Sequence, residues 1–262
     1  MTTSPTTAYG RVIPASLRPA DIAAMIDHSL LRPELTADDV RAGCELAAAR
    51  GAFSVCVKPA DVGLAAKALA GTAVRVGTVV GFPHGSSATA VKRHETERAL
   101  ADGAVEIDMV VNIGALRGGD DDYVLTEIRE VVTTAHAAGA LVKVILENAY
   151  LDDEQIARGS RLVEAAGADF VKTSTGFAPS GATVHDLLIM AASTGPAVRL
   201  KAAGGVRTLD RLLDLVAIGV TRFGATATAT MLDDAEARAA TTGSIPVPPP
   251  PKDEQAAESA GY

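Results

Sequence analysis

Eight alternations of a short β-branched run with a longer helical stretch predict a single (β/α)8 TIM barrel, an α/β fold. Three observations carry this reading. The alternation runs without a linker over residues 20–240 of a 262-residue chain. Hydrophobic residues make up 48% of the chain while aromatics make up 3%, with no Trp. The apolar load therefore lies in Ala, Val, Leu and Ile, which suits small side chains packed between many helices and strands. Glycines also follow the helical stretches where a left-handed cap is needed: Gly51, Gly103, Gly139 and Gly167 each close an Ala/Leu-rich run and precede a strand. A doubly wound open sheet shares the alternation, and the pattern alone does not separate a closed sheet from an open one.

The first strand is MIDHSL (25–30), and a helix follows from Thr36, with Asp38 and Asp39 in the first turn, where the helix dipole favours acids. FSVCVK (53–58) leads to a helix near Ala60, and VRVGTVVGF (74–82) to one near Ser87. VEIDMVV (105–111) precedes a helix near Asp122. LVKVIL (141–146) precedes one opened by Asp152, Asp153 and Glu154. DFVKTS (169–174), VRLKAA (198–203) and TRFGA (221–225) complete the strands, with helices from Gly181, Thr208 and Thr226. Residues 1–19 form an N-terminal extension of little periodicity, and residues 20–240 the barrel. Residues 241–262 form a flexible tail with five of the 13 prolines, expected to be extended or disordered.

Several function classes are excluded early. Twenty-four Lys and Arg against 32 Asp and Glu leave a net charge of −8, which argues against a generic nucleic-acid binder. No apolar run approaches the roughly 20 residues of a membrane span, and residues 1–11 lack the apolar core of a secretory signal. Two cysteines in a chain this long, Cys44 and Cys56, indicate a reducing compartment and a cytoplasmic protein. Neither the cysteines nor the five histidines have metal-ligand spacing, so no metal is expected.

Charged residues inside barrel strands are informative, because this fold places its active site at the C-terminal strand ends. Asp27, Asp108, Lys143, Lys172 and Lys201 are all embedded in apolar or β-branched runs. Lys172 ends a strand and is followed by Thr173, Ser174, Thr175 and Gly176. It reads either as a lysine reaching out to solvent or as an amine nucleophile. An attacking amine must be neutral, and burial or a second cation favours that form. Lys201 ends the next strand and supplies such a cation, since adjacent strands lie about 4.8 Å apart. Asp108 reads as a structural ion pair with Lys201 or Lys143, as a proton relay for Lys172, or as both.

Two strand-to-helix turns favour an anion. Gly204-Gly205-Val206-Arg207 and Phe223-Gly224-Ala225-Thr226 each open a helix after the last two strands, where barrels of this kind often bind phosphate. Cys56 reads as a buried core residue, and His28 and His84 as hydrogen-bonded structural histidines.

These residues fall in motifs. IDHSLLRP, SVCVKP, GFPHG, VEIDMVVNIGAL, LVKVILE, ADFVKTSTGF, KAAGGVRT and RFGAT occur in that order over residues 20–235. On them the chain resembles the 2-deoxy-D-ribose-5-phosphate aldolase family of class I aldolases. The resemblance implies Lys172 as the Schiff-base lysine, Lys201 as its partner in proton transfer, and Asp108 as the proton donor or acceptor. Gly176, Gly204, Gly205, Gly224 and Thr226 become parts of the phosphate site, with Arg207 beside them. Asp27, Cys56, Lys143 and Thr173 are accessory candidates. The family commonly carries two hydroxyl residues after the last glycine turn, whereas here Thr226 is followed by Ala227. Some members end in a tail whose terminal tyrosine reaches the active site, and this chain ends in Tyr262. That residue is either an end without a role or an aid to protonation of the enamine carbon. The implied reaction is reversible cleavage of 2-deoxy-D-ribose 5-phosphate to D-glyceraldehyde 3-phosphate and acetaldehyde, in deoxyribose phosphate catabolism. It needs no cofactor, and the family suggests a homodimer or homotetramer. Two rivals stand beside it. An isomerase using Asp108 as base would not need paired lysines, and a sugar-phosphate binding module would not need a reactive amine.

Overall fold

In the computed structural model, which describes residues 6–253, eight parallel strands close into a barrel. They are β1 (Ile26–Leu30), β2 (Ser54–Val57), β3 (Arg75–Val80), β4 (Glu106–Val110), β5 (Leu141–Ile145), β6 (Phe170–Lys172), β7 (Arg199–Ala203) and β8 (Val220–Ala225). Each pairs with its successor, and β8 returns to β1 through Ile26, Asp27 and His28 against Phe223, Gly224 and Ala225. The closed sheet, not the open one, is therefore what the alternation builds. A helix of seven or more residues follows each strand: α1 (Ala37–Arg50), α2 (Val62–Ala68), α3 (Thr89–Ala101), α4 (Asp121–Ala137), α5 (Asp153–Ala165), α6 (Val184–Ser193), α7 (Leu209–Val216) and α8 (Thr228–Ala239), with a short extra helix, Ile113–Gly118, between β4 and α4.

Local chemistry explains the helix ends. Thr36 caps α1, accepting from the Asp39 N–H while the Asp39 carboxylate accepts from the Thr36 N–H. Asp152 and Gln155 do the same for α5. Gly51, Gly103, Gly139 and Gly167 all have positive φ, as the cap reading requires.

Alternation along the strands sorts the two sides of the sheet. On β4, Ile107 and Met109 join the hydrophobic core between barrel and helices, while Glu106 and Asp108 meet charged partners inside the barrel. The interior is thus polar, and the apolar core is the annulus around it. The floor of the interior is aromatic and cationic: the Arg222 guanidinium lies 3.5 Å from the Phe53 ring centre, and Arg199 lies 3.9 Å from that of Phe170.

The flanking segments meet each other. Ser16–Leu17 pairs antiparallel with Ile245–Pro246, and Asp253 reaches His185 Nδ1 at 3.1 Å. No helix among the described residues is long and apolar enough to cross a membrane.

Candidate active site

Seven charged side chains from six strands converge inside the barrel. Asp108, fully buried, accepts from three lysines: Lys143 on Oδ1 at 2.8 Å, and both Lys172 and Lys201 on Oδ2 at 2.7 Å. Strand register brings them there, since Asp108 pairs with Lys143 across β4 and β5, and Lys172 with Lys201 across β6 and β7. Two ammonium groups on one oxygen place their nitrogens within about twice a hydrogen-bond length of each other. Lys201 also donates to Asp27 Oδ2 at 2.5 Å. Asp27 is held in turn by Arg222 at 2.8 Å and by the Ser54 hydroxyl at 2.7 Å. Glu106 completes the group, 2.6 Å from Lys143 and 3.2 Å from Arg222.

Four cations therefore face three carboxylates. Burial alone would raise the Asp108 carboxyl, but Lys143, Lys172 and Lys201 hold it well below the ordinary carboxylate range. Asp27 is likewise depressed against its burial by Lys201, Lys143 and Arg222. Burial would lower Lys143, yet Asp108, Asp27 and Glu106 raise it above the usual lysine value. Lys143 is thus a fixed cation. Lys172 has a single carboxylate contact, to Asp108, where Lys201 has two and Lys143 three.

Above this cluster lies one pocket. Its lining includes Asp27, Cys56, Lys172, Gly176, Lys201, Gly204, Gly205, Arg207, Gly224 and Thr226. Gly204 and Gly205 adopt φ of 78° and 81°, a left-handed pair that side chains disfavour. The loop after β6 packs on them so closely that a Cβ at Gly181 would stand 2.3 Å from the Gly204 carbonyl oxygen. Asp108, Lys143 and Thr173 are buried and do not line this pocket; the Thr173 hydroxyl is bonded to the Ala203 backbone. Burial pushes the Cys56 thiol up to about 11. Ala227 caps α8 without a side-chain bond. The next hydroxyl, Thr228, is 2.9 Å from His28 Nδ1, and burial lowers that histidine to about 4. His84 is exposed. Tyr262 lies outside the described residues.

Four participants escape a reading of the chain. Glu106 and Asp108, two apart on one strand, share a face, a spacing that points to a second interior acid. Arg222 sits in an apolar strand as the lysines do, and Ser54 opens β2 with no charge to mark it. Glu147 closes the motif LVKVILE, with nothing in the residue order to mark it as part of a site. It is the one non-glycine residue with positive φ (60°) among those described, an arrangement that costs about 1–3 kcal/mol. It is 2% exposed, and its carboxylate takes the Thr175 N–H at 3.2 and 3.3 Å and the Thr175 hydroxyl. Burial raises its pKa, against the opposing bonds from Thr175 and the charges of Lys172 and His84.

A closed parallel barrel holds an amine beside a carboxylate under a glycine-walled pocket, an arrangement suited to an enzyme acting on a small phosphorylated substrate. The DeoC/LacD family aldolase model matches residues 22–241, and the chain belongs to that family. It is 48% identical over 215 residues to a deoxyribose-phosphate aldolase of Rhodopirellula baltica, covering 82% of this chain and 89% of the relative. A solved putative deoxyribose-phosphate aldolase from Coccidioides immitis superposes with a TM-score of 0.82 at 35% identity, over 88% of this chain and 92% of that one. The tetrameric deoxyribose phosphate aldolase of Aeropyrum pernix gives 0.74 at 30%, over 84% and 93%.

Proposed function

We propose that this chain is a class I aldolase cleaving 2-deoxy-D-ribose 5-phosphate into D-glyceraldehyde 3-phosphate and acetaldehyde, in the breakdown of deoxyribose phosphate. One observation carries the reading: Lys172 and Lys201 share a single oxygen of Asp108 at the base of a pocket walled by Gly204, Gly205 and Gly224. Lys172 is the amine with the fewest carboxylate partners, and it lines the pocket. As a neutral amine it attacks the C1 aldehyde of the open-chain sugar. Loss of water gives an iminium that draws electrons from the C2–C3 bond. Asp108, through water and Lys201, takes the proton of the C3 hydroxyl. That bond then breaks, and C3 leaves as the aldehyde carbon of glyceraldehyde 3-phosphate. The enamine left on Lys172 takes a proton at C2, and hydrolysis releases acetaldehyde and restores the amine.

The far end of the sugar carries the phosphate. The backbone around Gly204, Gly205 and Gly224, the Thr226 hydroxyl and Arg207 are suited to hold it. Binding there orients the reacting carbons without entering the bond changes. An isomerase with Asp108 as base would have no use for two amines on one oxygen. Residues 20–240 form the catalytic unit. Buried, unpaired Cys44 and Cys56 suit a reducing cytoplasm. Assembly as a homodimer or homotetramer is checked by light scattering of the purified protein.

The direct test traps the iminium. Acetaldehyde and borohydride should leave an ethyl group on Lys172 Nζ far ahead of the surface lysines, read by peptide mass mapping. A folded protein without that adduct rejects the reading. A second expectation concerns proton transfer. Lys201→Leu removes one of the two ammonium groups on Asp108 Oδ2 and leaves Lys172 in place. Cleavage of the sugar phosphate should then fall by about 10²-fold or more in kcat/KM, while borohydride trapping of acetaldehyde on Lys172 persists. Unchanged cleavage would count against a shared-oxygen role for Lys201.

A further inference from the structure

The turn after β5 carries a carboxylate that the reaction above does not use. Leu146 N–H donates to the Lys172 carbonyl and Asn148 N–H to the Thr173 carbonyl, both at 3.0 Å, so the β5–β6 ladder continues past the assigned strands. Between these two bonds Glu147 adopts φ 60° and ψ 64°. Glycine would occupy that conformation without strain, and glutamate occupies it against its preference. What the site gains is the carboxylate. Three of its hydrogen bonds go to one residue, Thr175, through the N–H and the hydroxyl.

Thr175 belongs to the loop between β6 and α6, which forms one wall of the pocket. The neighbouring Gly176, at φ 95°, lines that pocket. The Thr175 hydroxyl donates to Glu147 and accepts the Phe177 N–H at 3.0 Å, so it fixes the loop on both sides of Gly176. The far end of the loop is fastened separately, by the Ala182 N–H to the Ala203 and Gly204 carbonyls at 3.1 and 3.0 Å. One end of the wall is thus tied to the glycine turn and the other end to Glu147. The second anchor lies beside the strand end that carries Lys172.

We infer that Glu147 is a positioning residue for the aldolase reaction. Its carboxylate sets Thr175 and the Gly176 wall against the glycine turns, so that the phosphate-bearing half of the substrate is held at a fixed distance from the Lys172 amine. The inference rests on the function proposed above and deepens it. It separates two halves of the site. Capture of acetaldehyde needs the amine and not the wall, whereas cleavage of the phosphorylated sugar needs both.

The experiment uses the full chain and Glu147→Gln, which keeps size and removes the charge. KM for 2-deoxyribose 5-phosphate should rise about tenfold, the loss typical of hydrogen bonds to a charged group. The kcat should change less, and borohydride trapping of acetaldehyde on Lys172 should match the parent. Thr175→Val should reproduce the rise, Thr175→Ser should largely restore the parent KM, and combining Glu147→Gln with Thr175→Val should add little to either. Should Glu147→Gln fail to fold, the two Thr175 variants read the same contact. An unchanged KM in Glu147→Gln or Thr175→Val overturns the inference. So does loss of trapping and kcat at constant KM, which would place Glu147 at the amine. If the parent protein itself traps no acetaldehyde, the proposed function fails and not this contact.

Discussion

Lys172→Ala should lose turnover by roughly 10⁴-fold or more in kcat/KM, because no other group supplies the covalent route. The same variant should keep its stability. Lys172 contributes one carboxylate contact to a cluster in which four basic side chains meet three carboxylates. Removing it leaves Lys143, Lys201 and Arg222 against Asp27, Glu106 and Asp108, a balanced set. Its side chain also faces the pocket, so truncation opens space to water and leaves no sealed cavity. Lys172→Met, closer in volume, should match or exceed the parent Tm while being equally inactive. Calorimetry beside an aldehyde-release assay separates the effects. An inactive variant that is also strongly destabilised would make Lys172 a structural cation. Residual activity above about one per cent of the parent would remove it as the nucleophile.

The interior charges were legible for one physical reason. A charge inside a β-branched run is costly to bury without a partner, so Asp27, Asp108, Lys143, Lys172 and Lys201 stand out against their neighbours. Helix starts were legible because a cap is a local bond, as Thr36 with Asp39 and Asp152 with Gln155 demonstrate. Closure of the sheet was not legible, because the contact that closes it joins residues near 27 to residues near 224, and no local pattern encodes that pairing. Arg222 and Glu106 carry the same mark in their strands as the lysines do. Charge balance, which makes them matter, exists only once all seven groups meet. Glu147 is the extreme case. Its significance lies in a backbone angle and in a hydroxyl 28 positions away, and neither leaves a trace in the residue order.

Asp108→Asn should give the opposite pairing of effects from Lys172→Ala. The amide keeps the shape but removes the charge on which three lysines converge. Lys143 retains Glu106 at 2.6 Å and Lys201 retains Asp27 at 2.5 Å, while Lys172 loses its carboxylate partner. Two carboxylates then remain for Lys143, Lys172, Lys201 and Arg222 in a buried volume. The cost of breaking such pairs is about 3–5 kcal/mol, or roughly 10 °C in Tm for a domain of this size. Capture of an aldehyde needs the Lys172 amine and not the Asp108 charge. The variant should therefore still trap acetaldehyde under borohydride. Cleavage of the sugar phosphate should nevertheless fall by about 10²–10⁴-fold, because the C3 hydroxyl proton has lost its acceptor. The acid limit of stability should shift as well. In the parent, a carboxyl held far below its unfolded value contributes stability that is complete above the unfolded pKa near 4 and drains away as pH falls through the folded one. Asp108→Asn removes that contribution, so parent and variant should differ most near neutral pH and converge in acid. Equal loss of trapping and cleavage would assign Asp108 to forming the amine and not to moving the proton. A Tm gap that stays constant down to strongly acidic pH would mean that the carboxylate charge is not what holds the cluster.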